Sequence, residues 1–437
     1  MSGAGRWRSV AVALAFAVLA AAPPAAQAGW GRPFEFAAPG TLDDLPPQLA
    51  FSPAGAAAAA FGVEDVDTPG VSQAYLTSRS PSGAVGRPRT ISGAKQILAL
   101  AFDGGALELL TGTSPQGLTC CSSAQAIQLG AGGRLQRPRT LVDGLTGATL
   151  GRLITLADGQ MLAAIATERG VWVVQSAHTN RFGTQHRLTG MQQSPESMSA
   201  AWLGATNTIV AWTAATGVPG ASDPRSIYFA TGSGKRAPRR VSTALTVASG
   251  HRIDELAVAR RGTSATLAWI ESWYDSSGNY HSQVKAADVG AHPRIRALSP
   301  ANRLASGLSF AADPAGDQGL SWESCTTGAS CTVATAVRGA KARFGASATL
   351  GAIDAAQTPA IAVGSSGRVL VGWVQGGQPM AAIGSAGSRR FGTPTVLSAS
   401  TFAFDLTVGF GPGRDALAAW TQGTLNPSVV GASYHAS

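Results

Sequence analysis

Residues 388–398 read SRRFGTPTVLS, and nearly the same phrase stands at 180–190, NRFGTQHRLTG, and at 342–352, ARFGASATLGA. Self-similarity at a fixed period decides architecture, so it is read before anything else. A second phrase recurs between the first, an apolar run ending in tryptophan: TIVAW to Trp212, ATLAW to Trp269, QGLSW to Trp322, VLVGW to Trp373 and ALAAW to Trp420. After each tryptophan come a variable loop, an apolar run such as CTVATAVRG, and the opening phrase or a relative such as APRRVSTA or HPRIRALSP. A short run closed by a Gly-rich turn (PAIAVGSSGR, LTVGFGPGRD) leads into the next tryptophan phrase. All four runs are short and bounded by Gly or Pro, which reads as strands and not helices. One repeat is therefore four strands, A to D.

The pattern extends backwards with other residues in the tryptophan slot: Phe61, the run ALELL at 106–110 and the run MLAAIA at 161–166. A unit of roughly 50 residues predicts eight repeats across Gly29–Ser437; seven with one irregular insertion is the alternative count. The last repeat ends at SVVGASYHAS without a D strand, while GWGRPFEFA at 29–37 reads as a D strand with nothing before it. The two ends together make one unit. Four-stranded units that close on themselves predict an all-β fold, a β-propeller of eight blades in one domain, its ring closed by the N-terminal strand.

In this repeat grammar the chain resembles the β-propeller superfamily, in particular sialidase-like and other secreted bacterial propellers. The resemblance covers the length of the repeats but not their signatures. The Asp box Ser-x-Asp-x-Gly-x-x-Trp of sialidases is missing, as is the Trp-Asp dipeptide of another propeller class. The resemblance implies the ring and carries over no catalytic residue.

The first residues, MSGAGRWRSV followed by AVALAFAVLAAAPPAAQA, have a basic start, a short apolar stretch and a small-x-small site at Ala26–Ala28. They predict a signal peptide over 1–28, and hence a protein secreted or held in the cell envelope, with no transmembrane segment in the mature chain. In that compartment four cysteines suggest disulfides. Cys325 and Cys331 flank a B–C turn and can meet across it; Cys120 and Cys121 are adjacent, and either a vicinal bridge or two thiols is open. The net charge is +9, and arginines crowd the D segments and the turns before them, among them Arg89, Arg137, Arg139, Arg294, Arg296, Arg338 and Arg343. Edge strands are commonly protected this way. The same belt would also suit acidic glycans, wall polymers or anionic surfaces, whereas nucleic acid is not expected for an exported chain.

The tryptophans Trp212, Trp269, Trp322, Trp373 and Trp420 read as core between blades. The B–C loops are long and unlike one another, and variable loops on a rigid scaffold are where binding usually resides. The best local candidate is Glu271, Trp273, Tyr274, Asp275, Tyr280 and His281, aromatic platforms beside hydrogen-bonding groups suited to sugars. Glu64, Asp65 and Asp67 form the densest acidic cluster, but lack the spacing of a calcium loop, so no metal is expected. No cofactor fingerprint and no catalytic elbow is present. Three readings stand: a monomeric non-catalytic binding or scaffold module for carbohydrate or another secreted protein, a glycan-active enzyme of sialidase-like or lyase type, and a structural envelope protein.

Overall fold

The computed structural model describes residues 29–36, 47–64, 72–114, 121–130, 133–145, 149–156, 158–167, 169–176, 181–189, 195–215, 225–233, 236–290, 293–326, 330–413, 415–423 and 428–435. The expected signal peptide, Asp65, Asp67 and Cys120 lie outside them. Eight antiparallel sheets follow one another along the chain, and one short 3-10 turn, Ser365–Gly367, is the only helix among the described residues. Seven sheets take their four strands in sequence order. Blade 5, for example, is A His251–Arg261, B Ser264–Tyr274, C Tyr280–Asp288 and D Arg296–Ala297; blade 6 is A Leu304–Ala312, B Gln318–Cys325, C Cys331–Arg338 and D Ala348–Ala352. The A strands pack on one another all the way round, including Ala403–Phe410 of blade 8 against Gln48–Phe51 of blade 1. The chain is an eight-bladed β-propeller.

Blade 8 is closed by the N-terminal segment. Gly29–Trp30 and Phe34–Glu35 pair antiparallel with strand C, Ser428–His435, in the register Gly29↔His435, Trp30↔Tyr434, Phe34↔Gly431 and Glu35↔Val430. The local geometry repeats that of the RFG phrase elsewhere. The amide after the aromatic or apolar residue donates to a carbonyl of strand C: Gly183 to Gln175 (2.9 Å), Gly392 to Ile383 (2.9 Å), Gly86 to Ser78 (2.8 Å), and Gly31 to Ser433 (2.8 Å). The residue before it bridges to the same strand, as Ser176↔Phe182 and Gly384↔Phe391.

Edge protection is therefore only half of what the phrase does. Its aromatic side chain is packed inward: Phe182 and Phe344 are buried. Two glycines are required by this packing. A Cβ on Gly384 would lie 2.6 Å from the Phe391 ring, and one on Gly431 would lie 2.6 Å from Phe36.

The five tryptophans are fully buried. Each sits in the seam toward the preceding blade: Trp212 with Leu162 and Ala164, Trp269 with Ile209 and Ala211, Trp322 with Ala268 and Ile270, Trp373 with Val333 and Val337, Trp420 with Leu370 and Val374. Phe61 does the same in blade 1, packing with Leu417 and Ala419 of blade 8, so the seam at the ring closure is built like the others. Strand B is buried on both faces because each blade is covered by a neighbour on either side.

Phe36 is buried at that closing seam with its amide bonded to the Val429 carbonyl at 2.8 Å. Phe36→Ala is expected to destabilise the fold by about 3–5 kcal/mol. Deletion of residues 29–36 is expected to abolish a single cooperative melting transition. Scanning calorimetry reads both, and an unchanged transition in the deletion would contradict the closure.

Candidate binding site on the blade 5 hairpin

Strands B and C of blade 5 are joined by Asp275-Ser276-Ser277-Gly278-Asn279, and the turn is built by its first residue. Asp275 Oδ1 accepts the amides of Ser277 and Asn279, both at 2.9 Å, while Oδ2 takes Asn279 Nδ2 at 3.1 Å and pairs with His281 Nε2 at 3.0 Å. His281 first, then the amide of Asn279, holds the Asp275 carboxyl well below the usual carboxylate range. Gly278 supplies the left-handed backbone (φ 80°) that closes the turn. The tip is thus fixed by its own hydrogen bonds.

Period-two alternation splits the six predicted residues between two faces of the blade. Glu271 and Trp273 lie with Trp269 on the side of blade 4; Tyr274, paired with Tyr280, lies on the other. On the blade 4 side the register aligns His251, Trp273 and His281 across three strands. The imidazoles stack on the indole at 5.0 Å and 5.4 Å, nearly parallel (6° and 17°). Trp273 thereby has a ring stacked from each neighbouring strand, which leaves it poorly placed as a sugar platform.

Beneath it Glu271 is buried and fully engaged. Oε1 pairs with His251 Nδ1 (2.7 Å) and Lys285 Nζ (2.9 Å), and Oε2 accepts from Trp269 Nε1 (3.4 Å). Burial pushes the Glu271 carboxyl up, but the hydrogen bonds from Lys285 and His251 outweigh it and hold the group below its ordinary value. His251 and Lys285 were not picked out from the sequence; the pairing of His251 with Trp273 and of Lys285 with Trp269 is what brings them in.

On the opposite face Tyr274 and Tyr280 stand in solvent, 70% and 42% exposed, with ring centroids 5.4 Å apart and tilted at 58°. The Tyr280 hydroxyl reaches Asp254 Oδ2 at 3.4 Å, and Asp254 is held by Arg252 Nε at 2.6 Å. Of the other sequence candidates, Glu64 ends strand B of blade 1. Cys325 and Cys331 stand directly opposite one another and are disulfide-bonded, with Cα atoms 4.0 Å apart. Glu323 lies beside them, but their sulfurs are spent on each other and offer no thiolate to a metal. Cys121 is also disulfide-bonded.

One strongly perturbed carboxyl lies elsewhere. Glu108, in strand B of blade 2, is 3% exposed, and burial, with the charge of Asp103, raises its pKa to about 7. It is sealed within the blade and has no access to a substrate.

No family model matches the chain, and no curated protein matches it. Solved structures do. The Dos1 propeller aligns at a TM-score of 0.53 with 11% identity, over 91% of this chain and 94% of that one. Polysaccharide lyase Uly1 aligns at 0.51 with 9% identity, over 90% of each chain. A protein of unknown function from Dyadobacter fermentans aligns at 0.44 with 10% identity, over 94% of this chain and 99% of that one. At these identities the likeness to the Dos1 propeller and to Uly1 is one of fold.

Two pH profiles follow. Because the folded-state pKa of Glu271 is depressed, its ionised form stabilises the fold above the unfolded carboxyl value, and that stabilisation is lost as pH falls through the folded pKa. Glu271→Gln is expected to lower stability at pH 7 by about 3 kcal/mol and to flatten the acid limb of the profile. Glu108 has the opposite sign: its raised pKa means stability declines as pH rises from the unfolded value to about 7. Glu108→Gln is expected to gain about 3 kcal/mol on wild type between pH 4 and pH 8. Urea titrations across pH check both, and parallel profiles for variant and wild type would contradict the assignments.

Proposed function

We propose that the protein is a non-catalytic binding propeller acting outside the cytoplasm, and that it recognises carbohydrate with the Tyr274–Tyr280 pair at the tip of the blade 5 hairpin. The observation that carries this reading is the exposure of those two rings on a turn fixed by Asp275, while the neighbouring Trp273 is already stacked between histidines. Tyrosine presents an apolar face and a polar tip at little entropic cost, which suits sugar faces and hydroxyls.

The carboxylates around the hairpin support binding over hydrolysis. A general acid needs a raised pKa and access. Glu271 is buried, triply bonded and depressed, and Asp275 is consumed by the turn. Glu255 is raised by burial, yet both its oxygens accept blade 6 amides, Gly307 at 2.8 Å and Leu308 at 2.6 Å. The Cys325–Cys331 bridge and the oxidised Cys121 agree with an oxidising compartment, as does the signal peptide expected at residues 1–28.

Screening against immobilised glycans tests this. Wild type is expected to bind one sugar class in a salt-resistant manner. Tyr274→Ala and Tyr280→Ala are each expected to weaken it about tenfold, ~1.4 kcal/mol, with unchanged melting. A doubly substituted protein that binds as well as wild type would overturn the hairpin assignment. Release of unsaturated sugar from an acidic polysaccharide would overturn the non-catalytic reading in favour of a lyase.

A further inference from the structure

At the other end of the same strands, away from the hairpin tip, a groove of about 580 Å³ opens at the outer seam between blades 5 and 6. Its volume falls within the range of small-ligand sites. The corresponding grooves between blades 3 and 4 and between blades 8 and 1 measure about 310 Å³ and about 240 Å³. Five arginines and one carboxylate line it: Arg261, Arg294, Arg296, Arg338, Arg343 and Asp288.

The floor is built. Arg338 is 4% exposed and lies over the Phe344 ring at 4.3 Å. It donates to Gln318 Oε1 (2.7 Å), Thr266 Oγ1 (2.5 Å) and Asp288 Oδ1 (2.8 Å). Gln318 in turn donates to the Arg260 carbonyl at 2.6 Å, and the Thr266 hydroxyl donates to Asp288 at 2.7 Å. The other oxygen of Asp288 is taken by Arg261. One carboxylate thus serves two guanidinium groups. Arg294, Arg296 and Arg343 are exposed at the walls and form no ion pair among the described residues.

Positive charge is left in excess. Burial, with the neighbouring charge of Arg296, presses the pKa of Arg338 down to about 10. A cluster of like charges around a concave site is relieved by a multivalent anion, and guanidinium forks match the oxygens of sulfate, phosphate and carboxylate groups in pairs.

We propose that this groove is a second binding site, for a small polyanion: a sugar-sized ligand bearing two or more sulfate, phosphate or carboxylate groups, gripped by Arg294, Arg296 and Arg343 above the fixed Arg338–Asp288 floor. The site is independent of the hairpin, which lies at the opposite end of strands B and C of blade 5. Its wall arginines belong to the basic belt of the D segments but converge on one groove, and the arginines of the same belt on blades 1 and 2 serve as the control.

Calorimetric titration of the whole protein with sucrose octasulfate, inositol hexakisphosphate and digalacturonate tests the proposal and separates the three anion sources. Wild type is expected to bind at least one of them at one site per chain, and inorganic sulfate far more weakly. The combined variant Arg294→Ala, Arg296→Ala, Arg343→Ala removes only exposed side chains and is expected to fold. It should lose about a hundredfold or more in affinity. The matched variant Arg89→Ala, Arg137→Ala, Arg139→Ala removes the same charge elsewhere on the rim and should stay within about threefold of wild type. No binding by wild type, retained affinity in the groove variant, or equal losses in both variants would overturn the site.

Discussion

The pairing of residues 29–35 with strand C of blade 8 is the constraint on which the molecule depends. A propeller blade buries both faces of its sheet against neighbours, so an open ring would expose two apolar seams. Here the N-terminal segment takes the strand D position of the last sheet, with the hydrogen bonding seen in the other blades. Phe36 enters the same cluster as Phe61, Leu417 and Ala419, which ties the N-terminal segment to the seam between blades 8 and 1. Closure is thus a long-range contact that makes eight locally formed hairpin units into one structure.

Much of this was legible because the repeat carries redundant information. The tryptophan phrase marks strand B, the RFG phrase marks strand D, and GWGRPFEFA falls in place as a D strand displaced to the other end of the chain. What the phrase does was only partly legible. Its arginines announce an exposed edge, but the burial of Phe182 and Phe344 depends on C–D turn geometry that composition does not encode.

The hairpin site shows the same division. The residues of 271–281 stand together as a segment, and the turn residues Asp275, Gly278 and Asn279 announce a tight connection. Their sorting onto two faces follows from strand alternation once the strand is assigned. The partner His251 does not follow, because a bulge in strand A between Ile253 and Glu255 sets which residue stands opposite Trp273; Lys285 comes opposite Trp269 only once the tight turn fixes the unbroken B–C register. Likewise the arginines of the rim were visible in sequence as a belt, whereas their convergence with Arg261 on one groove is a product of how blades 5 and 6 meet.

The ring closure is tested most directly by native-state hydrogen exchange at the two closing amides, Gly31, bonded to the Ser433 carbonyl, and Phe36, bonded to that of Val429. If the N-terminal segment completes blade 8, both amides exchange only with global unfolding, as slowly as amides in the central strands of the other blades. Exchange at the rate of a frayed terminus, with the rest of blade 8 protected, would contradict the account.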